Sequence, residues 1–224
     1  MGVVERRARE KEALRARIIE VTSRLMVEGG SESVSIRRIA EQIEYSPATI
    51  YLYFKDKAEL IDAICEELFG QMVEALANVG GDETDPLKKL RIGMKGYIEF
   101  GMSHPNHYLA VFGAPQQPSE NSSSDHKEAH RLGLEAFEIL RRVIRDCIRR
   151  RAIAGSDVET TSHALWMSLH GITSLMITTY GGPCPVYPDM SPADRNHLID
   201  AALDLLIAGL QNCALPPMPD GFHK

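Results

Sequence analysis

The sequence predicts an all-α protein of about nine helices, a three-helix head followed by a larger helical domain. Three observations carry that expectation. Apolar residues recur at helical spacing along most of the chain, no stretch alternates with the period of a strand, and Gly or Pro pairs punctuate the pattern between helical segments. From Leu14 to Met26 the apolar positions Leu14, Ile18, Val21 and Leu25 fall on one stripe, and Gly29-Gly30 stops the helix. Ser35 is placed to cap a short helix reaching Ile43, since its hydroxyl can accept a first-turn amide N–H. Ser46-Pro47 opens another, with Ser at the cap and Pro where the missing N–H costs nothing. Asp56 caps a long helix to about Val79, which Gly80-Gly81 ends.

A helix from about Asp85 follows, with Leu87, Leu90, Met94, Tyr97 and Ile98 at helical spacing, and His104-Pro105 ends it. A short helix holds Tyr108, Leu109, Val111 and Phe112. The Pro- and Ser-rich stretch Gly113–Asp125 reads as a loop that cannot build a core. Helices over about 127–152, 158–180 and 192–212 complete the chain, with a proline-broken segment before the last and a frayed tail after it.

Composition narrows the function. The 224 residues suffice for one large domain or two small ones, and apolar content is that of an ordinary globular protein. The charged N-terminus lacks the apolar centre of a secretion signal, and no apolar run reaches membrane-spanning length, so a cytoplasmic protein is expected. Cys65, Cys147, Cys184 and Cys213 show no metal-ligand spacing and read as reduced thiols. No metal and no cofactor are expected. The formal net charge is −6, but residues 1–55 hold ten Lys/Arg against eight Asp/Glu, leaving fifteen against twenty-three elsewhere. The basic excess sits at the N-terminal end, where phosphate would be met.

The stretch Val34–Leu60 carries the function. Two short helices with a tight turn between them form a helix-turn-helix pattern. Ile36, Ile39, Ala40 and Ile43 make the inner face of the first helix, and the small Ala40 lets the second cross closely. Ile50 and Phe54 anchor the second. Ser46, Pro47, Ala48, Thr49 and Tyr51 are left near the start of a recognition helix, with short groups able to approach base edges and phosphates. Ser35, Arg37 and Arg38 lie where the first helix would cross the backbone, and Lys57 begins the long helix. The basic arm, Arg6, Arg7, Arg9 and Lys11, is interleaved with Glu5, Glu10 and Glu12. It reads equally as a phosphate-following arm and as a solvated helical extension.

Ile39-Ala40, Ser46, Thr49-Ile50-Tyr51, Tyr53-Phe54, Lys57 and Leu60 stand in the register of the tetracycline-repressor (TetR) family, which this stretch resembles. The resemblance implies that Tyr51 and Lys57 contact phosphates and that Ser46 to Thr49 face the major groove. It implies a DNA-binding domain over residues 1–56 and a ligand-binding and dimerisation domain over 57–224. Its partners would be double-stranded operator DNA, a small-molecule ligand and a second copy of the chain, with no membrane. One departure is Glu44, which occupies the inter-helix turn where the family usually has Gly. A left-handed Glu44 would carry roughly 1 kcal/mol of strain. The stretches His104–Phe112 and Trp166–Gly171 resemble the C-terminal domain type named for its Trp-His-Gly signature.

Trp166 and His170 are four residues apart and share a helix face. With Met94, Tyr97, Phe112, Phe137, Met167 and Thr173 they are candidate walls of a mostly apolar ligand cavity, although packing alone explains the same stripe. His170 reads more readily as a core histidine than as a ligand contact. The last two long helices complete the core, and the resemblance implies that they also form a four-helix dimer interface, with Ala201, Ala202, Ala208 and Gly209 permitting close approach. The expected function is ligand-released repression. The alternative is a DNA-binding or architectural factor without an effector. An enzyme is not expected, for want of a phosphate-binding Gly loop, a zinc HExxH or a nucleophile–base pair.

Overall fold

A computed structural model describes residues 2–30, 33–113, 127–154, 157–181 and 190–217. Most of the expected loop after Gly113, Cys184, most of the proline-broken segment and the last residues of the tail lie outside them. Among the described residues every regular element is helical: α1 (Val3–Gly29), α2 (Ile36–Ile43), α3 (Pro47–Tyr51), α4 (Lys57–Ala77), α5 (Pro86–Ser103), α6 (Pro105–Phe112), α7 (Lys127–Arg149), α8 (Val158–Thr178) and α9 (Pro192–Asn212). No helix among them is long and apolar enough to cross a membrane.

Two compact units result. The first takes in Met1–Phe69 and His104–Arg131, the second Gly70–Ser103 and Leu132–Lys224. This differs from a division after residue 56, for two reasons. Helix α6 packs along α1, and the first turns of α4 place the fully buried Leu60, Ile64 and Leu68 in the head.

In the first unit, α1 packs against α2 and α6, and α2 against α3. The buried stripe of α1 is Ile18, Ile19, Val21, Leu25 and Met26. Two buried hydroxyls interrupt it at no cost, because Thr22 and Ser23 donate to the carbonyls of Ile18 and Ile19 one turn back. Gly30, at φ 72°, adopts a backbone that ends the helix. The helix starts at Val3, well before the apolar stripe. Val4–Ala13 are all exposed and are supported by local pairs such as Arg6–Glu10, so the basic arm is a helix that packs on nothing among the described residues.

In the second unit, α5 packs against α8 and α9, and α8 against α9. Leu90, Met94, Ile98, Leu165, Leu169 and Leu203 are buried. Arg91 and Lys95 of α5 reach Asp200 of α9, and Arg91 also reaches Asp204. Helix α7 ends at Arg149, short of the expected 152, because Arg151 turns left-handed at φ 57°.

Candidate nucleic-acid interface and ligand-domain residues

The α2–α3 pair is built by its caps and its inner face. Ser35 Oγ accepts the Arg38 N–H at 3.2 Å, and Ser46 Oγ accepts the Thr49 N–H at 3.2 Å. Each satisfies an amide that the first turn leaves orphaned. Ile39, Ala40 and Ile43 are buried to within 1%, as are Ile50 at 0% and Phe54 at 2% exposure. Arg15 of α1 lies over the Phe54 ring, 5.4 Å from its centroid, and holds the exit from α3.

Glu44 makes the turn in the left-handed region, at φ 61° and ψ 40°. The Tyr45 N–H reaches back to the Ala40 carbonyl at 2.9 Å, and the Glu44 N–H to that of Glu41. These are the two bonds of a Schellman ending, which a glycine would make without strain.

The outward residues differ in how their polar groups are used. Arg37 is strongly exposed, and its guanidinium pairs with Glu41 one turn on. Arg38 donates to the Ser33 carbonyl. The hydroxyls of Ser46 and Thr49 lie 3.0 Å apart and bond to each other. Pro47 and Ala48 are exposed, and Tyr51 is 58% exposed. Lys57 begins α4 half-buried, beside the Asp56 carboxylate that caps that helix by accepting the Glu59 N–H. Leu52, not foreseen from sequence, is 80% exposed directly after α3. The helical period would have found it, since it lies opposite the buried Ile50.

The ligand candidates fall in both units. Phe112 belongs to the first unit, where its ring meets Tyr108 at 4.9 Å and Phe69 at 5.9 Å. In the second unit, Met94 and Tyr97 are buried on α5, as is Thr173 on α8, whose hydroxyl donates to the Leu169 carbonyl. Phe137 of α7 stands edge-on to Trp166 at 6.5 Å and meets His163 at 4.7 Å. Trp166 stacks on His170 at 5.8 Å, with 26° between the planes. Arg141 covers Phe137 and pairs with Glu159 at 2.5 Å. Burial pushes His170 below the ordinary histidine value, favouring the neutral ring. Met167 does not join this row. It is 60% exposed, because one helical step rotates it away from Trp166.

Burial pushes the thiols of Cys65 and Cys147 up to about 12, with carboxylates nearby adding to it, so both are poor nucleophiles. Among the described residues no cluster of three or more His, Cys, Asp or Glu could hold a metal ion.

A short capped helix, a tight left-handed turn and a second helix with a small-residue outer face define a helix-turn-helix protein. Residues 18–64 match the family of bacterial regulatory proteins, tetR family. Residues 90–206 match the tetracyclin repressor-like, C-terminal domain. The second match alone covers more than half of the chain, and the chain belongs to the TetR family. The Trp166, His170 and Gly171 signature lies inside it.

Among relatives, the fatty acid metabolism regulator protein of Bacillus subtilis (strain 168) is 27% identical over 94 residues, 42% of this chain and 47% of that protein. In such matches the chain spans about half the length of the curated relatives or less. Among solved structures, the TetR family transcriptional regulator PfmR from Thermus thermophilus has a TM-score of 0.69 at 21% identity, covering 88% of this chain and 100% of that one. The regulator FadR from Bacillus subtilis, in complex with stearoyl-CoA, has a TM-score of 0.66 at 19% identity, covering 87% and 98%. These likenesses show a shared fold.

Proposed function

We propose that the chain is a transcriptional repressor that binds palindromic operator DNA as a homodimer and is released by a small, mostly apolar molecule. The observation that carries this reading is the α2–α3 pair, whose second helix is anchored by Ile50 and Phe54 and leaves Ala48, Tyr51 and Leu52 exposed. Phosphate contacts fall to Tyr51, Lys57, Arg37 and Arg38, with Ser35 beside them, and base contacts to the Ser46–Thr49 turn.

Dimerisation is supported by one face of the second unit. Met167 at 60%, Leu175 at 52% and Leu205 at 75% exposure leave α8 and α9 with unpartnered apolar surface. On the same helices, a Cβ added at Gly171 or Gly209 would meet nothing within 4 Å, so their smallness serves no packing within the chain. A second copy approaching closely gives it a use. The two recognition helices of such a dimer would meet successive major grooves about 34–36 Å apart.

For release, the ligand must bind the DNA-free form more tightly than the bound form. Phe137, Trp166 and His170, with Met94, Tyr97 and Thr173, are the contacts proposed in the second unit. The stearoyl-CoA held by the Bacillus subtilis regulator makes long acyl thioesters the first compounds to try. The release would act through a tilt of α4, which is continuous from Lys57 to Ala77. One observation favours the alternative without an effector. The Thr173 hydroxyl is spent on its own helix and Met94 is 1% exposed, as in a core that is simply packed.

The test is capture of genomic fragments by the purified protein at physiological salt, footprinting of the enriched sites, and displacement by acyl thioesters. An inverted repeat protected over two successive grooves and lost on adding ligand is the expected result. Salt-sensitive binding without enriched sequence would refute operator recognition. Protection that no ligand disturbs would favour the alternative.

A further inference from the structure

Recognition helices read bases with whatever points away from their own core. In α3 that core side is fixed by Ile50, which is fully buried. At 3.6 residues per turn, Ala48 and Leu52 lie roughly 160° and 200° from Ile50, the two positions that face directly outward. The exposures agree: Ala48 is exposed, Leu52 is 80% exposed, and Leu52 keeps helical backbone angles of −74° and −15°. Tyr51 stands about 100° round, at the flank.

Thr49 stands about 100° from Ile50, off the outward pole, and the Ser46 and Thr49 hydroxyls tie down the helix start. Ser46 Oγ caps the helix by accepting the Thr49 N–H, and the two hydroxyls bond to each other at 3.0 Å. What α3 offers at its outward pole is therefore hydrocarbon: one methyl from Ala48 and an isobutyl group from Leu52, four residues apart and so on one face. An exposed leucine there has no packing role to explain it.

In the major groove the apolar feature of a base pair is the 5-methyl of thymine. We infer that Leu52, with Ala48, is a specificity-determining residue that reads thymine methyl groups in each operator half-site. This rests on the operator-binding reading above. It places base discrimination in methyl contacts, with the Ser46 and Thr49 hydroxyls holding the helix start.

The experiment begins with selection of bound duplexes from a random library by the full-length protein. In the selected duplex each dT is then replaced in turn by deoxyuridine, which removes only the methyl. Wild-type protein should lose about fourfold in affinity at one or two positions per half-site, the worth of one buried methyl-sized group. Leu52→Ala should lose a comparable factor on the thymine duplex and nothing further on the deoxyuridine duplex at its contacted position. Its unchanged melting temperature would show that an exposed side chain was removed without harm to the fold. Equal losses by Leu52→Ala on both duplexes, or a wild-type protein indifferent to every methyl, would overturn the inference while leaving operator binding intact. Failure to select any sequence would overturn operator binding and the inference with it.

Discussion

Glu44 is a residue whose conformation and charge can be separated by two substitutions. It sits at φ 61° and ψ 40° with a Cβ that this region disfavours. The strain is about 1–2 kcal/mol. Glu44→Gly removes it but adds freedom to the unfolded chain, about 0.5–1 kcal/mol. The net gain is centred on about 0.75 kcal/mol, within about 0–1.5, and for a chain of this length the central value raises the melting temperature by about 2–3 °C. Glu44→Gln keeps the side-chain length and the left-handed strain, so its melting temperature should stay at the wild-type value. DNA affinity should separate differently. Both variants lose a carboxylate one residue from Tyr45 and two from Ser46, at the start of the proposed reading helix. Both should bind a generic duplex more tightly, and the advantage should shrink as salt rises, because exposed charges are screened beyond about 8 Å at physiological ionic strength. Thermal melting and fluorescence anisotropy at two salt concentrations read the two effects. A Glu44→Gly protein no more stable than wild type, or a Glu44→Gln protein stabilised equally, would refute the strain argument.

Three further outcomes are expected. Tyr51→Ala and Lys57→Ala should each weaken binding by a similar factor across DNA sequences, and Lys57→Ala should lower the salt slope by about 1, since phosphate contacts are blind to sequence; a variant with altered base preference at undiminished affinity would contradict the assignment. Leu205→Glu should halve the mass found by sedimentation equilibrium and cost at least about a hundredfold in affinity for a duplex with two half-sites; a monomeric wild type would sink the dimer reading. The one tryptophan, Trp166, should report His170. Because burial lowers the folded value, its stabilising contribution is complete above the ordinary 6.5 and is lost as pH falls through that lowered value. Trp166 fluorescence should titrate below 6.5, and His170→Gln should abolish the step; a midpoint above 6.5 would contradict the burial argument.

Elements with chemical punctuation were legible in the sequence. Ser35, Ser46-Pro47 and Asp56 mark their helix starts because a side-chain oxygen must meet an orphan amide, and the left-handed Glu44 follows from a turn too tight for any other backbone. The start of α1 was not legible, since residues 4–13 bury nothing and so carry no apolar period. The exposure of Met167 was not legible from its place beside Trp166, since the helix turns the two apart. Leu52 escaped notice for the opposite reason: attention to hydroxyls hid the one large side chain opposite Ile50.

The exposed N-terminal turns of α1 have a consequence of their own. A segment of about ten residues is too short to be stably helical alone in water, and here it gains only from local pairs and from continuity with the buried stripe. Its amides should exchange with solvent nearly as fast as those of an unfolded peptide, while those of Ile18 to Leu25 wait for larger openings. Arg6, Arg7 and Arg9 thus ride on a segment that can melt and re-form without disturbing a single core contact. Against a polyanion the segment can adjust its backbone to the surface, at the cost of the conformational entropy lost when it is held there.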